Sequence, residues 1–311
     1  MRLIFSWIYW TCRSFIKVIL RRITKLCELQ RICYSTLSGA DRSLQVEYSL
    51  QHSKRTAVRD MIRYMDELSR ERRIRERITE ALNYSVILVI TCKKINPRIH
   101  VQFVKSFSRC LEHIWGYKQL MQEVCVLSRT PYDSENEEHE MKLLKLWNAL
   151  MPDTPLQSRV SKQWQDIGFQ GNDPKTDFRG MGMLGLENLL FFAQEYSTYA
   201  NIVLTHSLHP TRGYTFAVLG INITNMAYHL LLDGTAKTHF FNISHRMPNI
   251  EAFHRFYCYL FFEFDKFWMK SKPQDMMDFN HIKQSFESEI RESLGHRDCI
   301  LNIKNCVVET I

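Results

Sequence analysis

Ile250-Glu-Ala-Phe-His-Arg-Phe-Tyr-Cys-Tyr-Leu-Phe-Phe-Glu-Phe-Asp-Lys-Phe-Trp-Met-Lys270 decides the fold class. Phe253, Phe256, Tyr257, Leu260, Phe264 and Trp268 recur at three- and four-residue intervals, the period of a helix with one face in a core, and Pro273 follows as a stop signal. Working outward, Met276 to Leu294 repeats the pattern before Gly295, and Tyr214 to Leu232 is an apolar stretch closed by Gly234. No segment alternates as a strand would, and no internal repeat is present. Only 11 glycines and 8 prolines occur in 311 residues, about half the usual share, which leaves few turns and disfavours sandwiches and propellers. The expectation is an all-α protein with ample chain for a core.

Toward the N-terminus the same reading continues. After a turn-like stretch at 35–43, residues 44–90 read as helix, with the mixed-charge patch Arg70 to Glu80 as a solvated face. Ala81 to Cys92 carries no charge but is short of the roughly 20 residues that span a bilayer, so it reads as a buried helix. Pro97 punctuates the chain, and Ile99 to Leu127 is helical with Gly116 as a candidate break. Ser134 and Glu137 have capping-box spacing ahead of Met141, Leu144, Leu146 and Trp147. Pro152 and Pro155 end that helix, and Leu156, Val160 and Trp164 begin a shorter one that should stop near Gly168.

The net charge of +8 is unevenly placed. Residues 1–27 hold six basic side chains and no acid, leaving 35 basic against 33 acidic for the remainder. The body is nearly neutral and carries no nucleic-acid-binding signature, so no nucleic-acid partner is expected. From Arg13 to Arg31 the apolar and basic residues fall on opposite halves of a helical wheel, only Arg22 intruding on the apolar edge, behind an uncharged stretch Leu3 to Cys12 with Trp7, Tyr9 and Trp10. This pattern suits a basic amphipathic segment, residues 1–34, lying on an anionic membrane surface; the alternatives are docking on the protein's own core and a cleaved presequence. Nine scattered cysteines without a C-x-x-C pair signal neither a disulfide framework nor a zinc site, so the chain is expected to be reduced and intracellular.

Five of the eleven glycines (168, 171, 180, 182 and 185) fall in Trp164-Gln-Asp-Ile-Gly-Phe-Gln-Gly-Asn-Asp-Pro-Lys-Thr-Asp-Phe-Arg-Gly-Met-Gly-Met-Leu-Gly-Leu186. A helical protein short of glycine has gathered nearly half of it into one shaped connection; a close helix–helix packing loop is the alternative. Gly180 to Gly185 is formally G-x-G-x-x-G, but Asp-Pro-Lys-Thr-Asp-Phe-Arg stands where a dinucleotide site needs a buried strand. Lys175-Thr176 follows Pro174, which cannot offer the N–H that a phosphate loop needs there. The His206/His209 and His239/His245 pairs lack a third metal ligand. What remains is Arg179, between Phe178 and Gly180 with Asp173 and Asp177 nearby. Such a guanidinium either ion-pairs with a neighbouring Asp or stabilises charge on a transferring phosphoryl group.

The block Trp164 to Leu189, together with Cys27-Glu-Leu-Gln-Arg-Ile-Cys33, Pro131-Tyr-Asp-Ser134, Leu144-Lys-Leu-Trp-Asn148, Val218-Leu-Gly-Ile-Asn-Ile-Thr224 and Phe256 to Trp268, resembles the ELMO domain-containing family. The resemblance implies a single ELMO-type helical domain with an N-terminal amphipathic helix. Its parts would be a helical region at 35–130, a core at 131–300 holding the loop 164–189, and a tail at 301–311. It further implies GTPase-activating activity toward small GTPases of the Arf and Arf-like group, with Arg179 as the catalytic residue acting in trans. Trp164, Gly168, Gln170, Gly171, Asp173, Pro174, Asp177, Phe178, Gly180 and Gly182 would then shape the loop or contact the partner. No cofactor or metal of its own is expected, since GTP and Mg²⁺ would be bound by the GTPase. Endoplasmic reticulum, lipid droplet and mitochondrion are the candidate surfaces. The competing expectation is a non-catalytic, membrane-associated adaptor that binds small GTPases or their regulators.

Overall fold

The computed structural model of the chain describes residues 15–69, 78–273 and 278–303. Among them the regular structure is helical throughout, in two compact units: 1–118 with 243–247, and 119–242 with 248–311.

In the first unit, α1 covers residues 15–24, followed by α2 (Glu28–Ser35), α3 (Ala40–Gln51), α4 (Thr56–Ser69), α5 (Ile78–Lys93) and the first part of α6 (Val101–Arg129). The expected continuous helix from Phe15 to Arg31 is instead broken at Lys25, whose φ is +57°. Side chains take over the local donors there: Thr24 Oγ1 accepts from the Leu26 N–H and Gln30 Oε1 from the Cys27 N–H. Phe15 (68% exposed) and Ile23 (73% exposed) on α1 are not docked on a core, whereas Leu29 and Cys33 of α2 are buried. Residues 1–14, with Trp7, Tyr9 and Trp10, lie outside the described residues, as does most of the Arg/Glu patch, residues 70–77.

The reading of 44–90 as one helix is also corrected. The chain turns at 52–55 because the His52 ring stacks on Tyr48 and its Nδ1 engages the Tyr48 carbonyl, while Ser53 Oγ accepts from the Arg55 N–H. In α5 only Ser85, Val86, Val89 and Ile78 are buried; Tyr84 and Ile87 are exposed, so Ala81 to Cys92 is half-buried rather than a core helix. No break occurs at Gly116, which is buried within an unbroken α6 between Trp115 and Tyr117.

The second unit contains the end of α6, then α7 (Glu137–Leu150), two 3₁₀ turns (Lys162–Ile167 and Pro174–Arg179), α8 (Gly182–Glu195), α9 (Ser197–Ser207), α10 (Phe216–Leu232), α11 (Lys237–Ile243), α12 (Ile250–Ser271) and α13 (Phe279–Leu294). α8 is apolar nearly all round, and it packs against α7, α10 and α12, as a helix without a polar face must. All six stripe residues of α12 are buried. The cap of α7 is Asn136, not Ser134: its side chain accepts from the Glu138 and His139 N–H groups. The turn ending at Gly168 begins only at Lys162, where Ser161 caps it, so Leu156 and Val160 lie outside it.

Candidate functional site

The glycine-rich block folds as two 3₁₀ turns leading into α8, and its aromatic residues form the floor. Trp147 meets Trp164 edge-on (ring centroids 5.4 Å apart), Trp164 meets Phe169 (5.7 Å), Phe169 meets Phe178 (5.6 Å), and Phe178 lies by Tyr132 (5.4 Å). Trp164, Phe169 and Phe178 are buried, so their packing fixes the backbone on either side of the exposed turn tip. Trp164 Nε1 also donates to the Arg159 carbonyl (2.9 Å).

Two glycines are required by geometry. Gly168 has φ +82°, and a Cβ there would lie 2.2 Å from the Phe216 nitrogen, so the first turn can close against the start of α10 only without a side chain. Gly182 has φ +52°, and a Cβ would lie 2.4 Å from the Thr130 carbonyl oxygen, which accepts from the Met183 N–H (2.9 Å). The start of α8 is thereby fastened to the end of α6. Gly171 and Gly180 differ: neither has positive φ, and a Cβ on Gly180 would meet nothing within 4 Å.

The acids of the block are engaged within the loop. Asp173 Oδ1 accepts from the Lys175 N–H (3.0 Å), capping the second turn with Pro174 buried at its start, and also pairs with Arg159 Nη1 (3.0 Å). Arg159 reaches on to Glu140 (Nε–Oε2 2.5 Å), whose other oxygen accepts from the Tyr132 hydroxyl (2.5 Å). Asp177 Oδ2 accepts from the Gln170 N–H (2.9 Å), and burial pushes its carboxyl above the ordinary value against the pull of that hydrogen bond.

Arg179 is the last residue of the second turn and is exposed. Among the described residues its guanidinium has no hydrogen-bond or ion-pair partner. Neither Asp173 nor Asp177 forms the local ion pair with Arg179 that the sequence offered: Asp173 engages Arg159 and the Lys175 N–H, and Asp177 engages the Gln170 N–H. Arg159, Glu140 and Tyr132 were missed in the sequence: they stand outside the glycine-rich block, and only the fold brings them to Asp173.

No cluster of His, Cys, Asp and Glu able to hold a metal ion occurs among the described residues. His206 Nδ1 hydrogen-bonds buried Asp265 (2.7 Å), which also accepts from the Tyr214 hydroxyl (2.5 Å). His239 is buried against Phe240 and Phe256, and burial lowers its pKa to about 3. No described helix is long and apolar enough to cross a membrane.

The ELMO/CED-12 family model matches residues 122–283. Mouse ELMO domain-containing protein 1 is 43% identical over 94% of this chain and 90% of its own length. Human ELMO domain-containing protein 2 is 41% identical, with 94% and 95% covered. ELMO domain-containing protein B of Dictyostelium discoideum is 34% identical, with 89% and 93% covered. No solved structure matches the chain. On the strength of the family match and these identities, carried across the arginine-bearing loop and the helices that hold it, the chain belongs to the ELMO/CED-12 family.

Proposed function

We propose that this chain is a GTPase-activating protein for small GTPases of the Arf and Arf-like group, and that Arg179 enters the partner's nucleotide site. The observation that carries this reading is the unpartnered, exposed guanidinium at the end of a turn whose backbone is fixed on both sides. A side chain that must be inserted into another protein needs to be free of local ion pairs yet rooted in a rigid element, because a loosely held group loses entropy on insertion. GTP and Mg²⁺ belong to the GTPase in this scheme. The arginine's planar fork offsets negative charge developing on the transferring γ-phosphoryl group, and Gln170, Asp173 and Asp177 hold the turn that presents it. The open space over Gly180 leaves room for the partner's surface next to the arginine.

An anionic membrane surface is proposed as the second partner. On α1, Phe15, Val18, Ile19, Leu20 and Ile23 are exposed alongside Arg21 and Arg22, a composition suited to the headgroup boundary.

The test is GTP hydrolysis by a panel of purified Arf-group GTPases with and without this protein, repeated with Arg179→Lys. Arginine fingers contribute roughly 10³ to 10⁵ in rate, and an ammonium retains charge but not the fork. Most stimulation should vanish while the melting temperature stays unchanged. Full stimulation by the variant sinks the catalytic reading. Retained GTPase binding with no stimulation by either form leaves an adaptor.

A further inference from the structure

The first unit is strongly basic, and one of its corners is apolar. Its residues hold 24 Lys and Arg against 10 Asp and Glu, so the near-neutrality of the chain beyond residue 27 conceals one basic and one acidic unit. No acid occurs from Ala81 to Leu111, a stretch that contains Lys94, Arg98 and Lys105. All three are exposed, and among the described residues none pairs with an acid. The corner lies where the end of α2 meets the start of α6. There the Tyr34 hydroxyl and His100 Nδ1 are 2.9 Å apart, and Ser106 Oγ donates to the Cys33 carbonyl (3.3 Å). Arg42 donates to the Thr36 carbonyl through Nε (3.0 Å) and Nη2 (2.6 Å), and to Ser106 Oγ through Nη1 (2.8 Å). The backbone on both sides is thereby fastened, yet Leu37 (80% exposed), Ile99 (74% exposed), Tyr34 and Val101 stand out into solvent. Large apolar side chains gathered on a fastened corner, with no place in the core, mark an interaction surface.

We propose that this corner is a second membrane contact, at which Leu37 and Ile99 enter the headgroup boundary of an anionic bilayer while Lys94, Arg98 and Lys105 engage its phosphate and carboxylate groups. It rests on the membrane reading given for α1 and extends it to a separate, fastened part of the same unit. The charge selects the occupant. Unpaired cations with no acid among them match a leaflet that offers negative charge throughout, where each Lys or Arg near the surface raises affinity about fivefold. A protein surface of mixed sign offers no such uniform match. Tyr34 suits the boundary as well, since its ring is apolar and its hydroxyl is already engaged by His100. Two contacts on one compact unit combine through effective concentration, so each can be weak alone.

The full-length protein is co-sedimented with phosphatidylserine-containing vesicles and, in parallel, with pure phosphatidylcholine vesicles. The parent should bind the first far more tightly than the second, and added salt should weaken that binding. Leu37→Ser combined with Ile99→Ser should lower affinity for the anionic vesicles about tenfold or more, and so should Lys94→Gln, Arg98→Gln and Lys105→Gln together. These side chains are exposed, so both corner variants should melt with the parent, which circular dichroism checks. Ile19→Ser combined with Ile23→Ser on α1 is the reference, since it weakens the first contact alone. Parent-like affinity in either corner variant, with loss in the α1 variant, overturns the corner and leaves the α1 reading standing. No vesicle binding by the parent sinks both. Equal binding to phosphatidylcholine overturns the anionic assignment. Parent-like vesicle affinity together with an altered oligomeric state in gel filtration assigns the corner to a second copy of this chain instead.

Discussion

Gly168→Ala should cost far more than Gly180→Ala, although the two glycines are twelve residues apart in one motif. At Gly168 the backbone sits at φ +82°, where a non-glycine residue loses about 1–2 kcal/mol. Its Cβ would also stand 2.2 Å from the Phe216 nitrogen and 2.7 Å from the Thr215 carbonyl carbon, both backbone atoms that cannot swing aside. Forced overpacking of this kind costs about 1–3 kcal/mol more, giving roughly 2–5 kcal/mol in total. At about 2–4 °C per kcal/mol for a unit of this size, the melting temperature should fall by roughly 4–20 °C. At Gly180 the space is open and φ is −73°, so alanine should change stability by no more than about 1 kcal/mol, in the favourable direction through the unfolded state. Differential scanning fluorimetry on the two variants and the parent measures both shifts in one experiment. A Gly168→Ala protein melting within 1 °C of the parent, or a Gly180→Ala protein falling as far, would refute the geometric argument for the loop.

Asn136→Ala should lose about 1 kcal/mol in urea unfolding and Ser134→Ala close to nothing, because Asn136 accepts the first-turn N–H groups of α7. Arg159→Met should destabilise by about 1 kcal/mol and speed amide hydrogen exchange across the second 3₁₀ turn, since Glu140 and Asp173 lose their common cation. The hydrogen bond to Asp265 raises the His206 pKa above the ordinary value, so the stabilisation is fully present below about pH 6.5 and fades as pH rises through the folded-state pKa. Urea-unfolding free energies measured across that range should decline in the parent and lose this contribution to the slope in His206→Gln.

The α12 stripe was legible because every one of its large side chains enters the core, and the stop near Gly168 because glycine takes up the left-handed conformation that closes a turn without steric cost, although Lys25 and Lys272 show that lysine also occupies it in this chain. Boundaries set by side-chain competition were not. His52 and Gln30 read as ordinary helical residues until their partners, Tyr48 and the Cys27 N–H, are in place. Gly116 punctuates on paper, yet it is buried inside a continuous helix whose flanking residues Trp115 and Tyr117 are also buried. In the site, Arg179 stood out by its surroundings. The state of its neighbours did not, because Asp173 is claimed by Arg159 fourteen residues earlier, a pairing that no local pattern encodes.

The edge-on contact of Trp147 with Trp164 gives the arginine-bearing loop its own optical signature. Two indoles with ring centroids 5.4 Å apart and planes inclined at 77° couple their electronic transitions, and the chiral arrangement produces a near-ultraviolet circular dichroism signal that a solitary indole lacks. Of the six tryptophans in the chain, these two stand under the loop, so their signal can be assigned by replacing either with phenylalanine. Loss of the loop's native packing thus becomes visible without a label, even while the surrounding helices keep their far-ultraviolet spectrum.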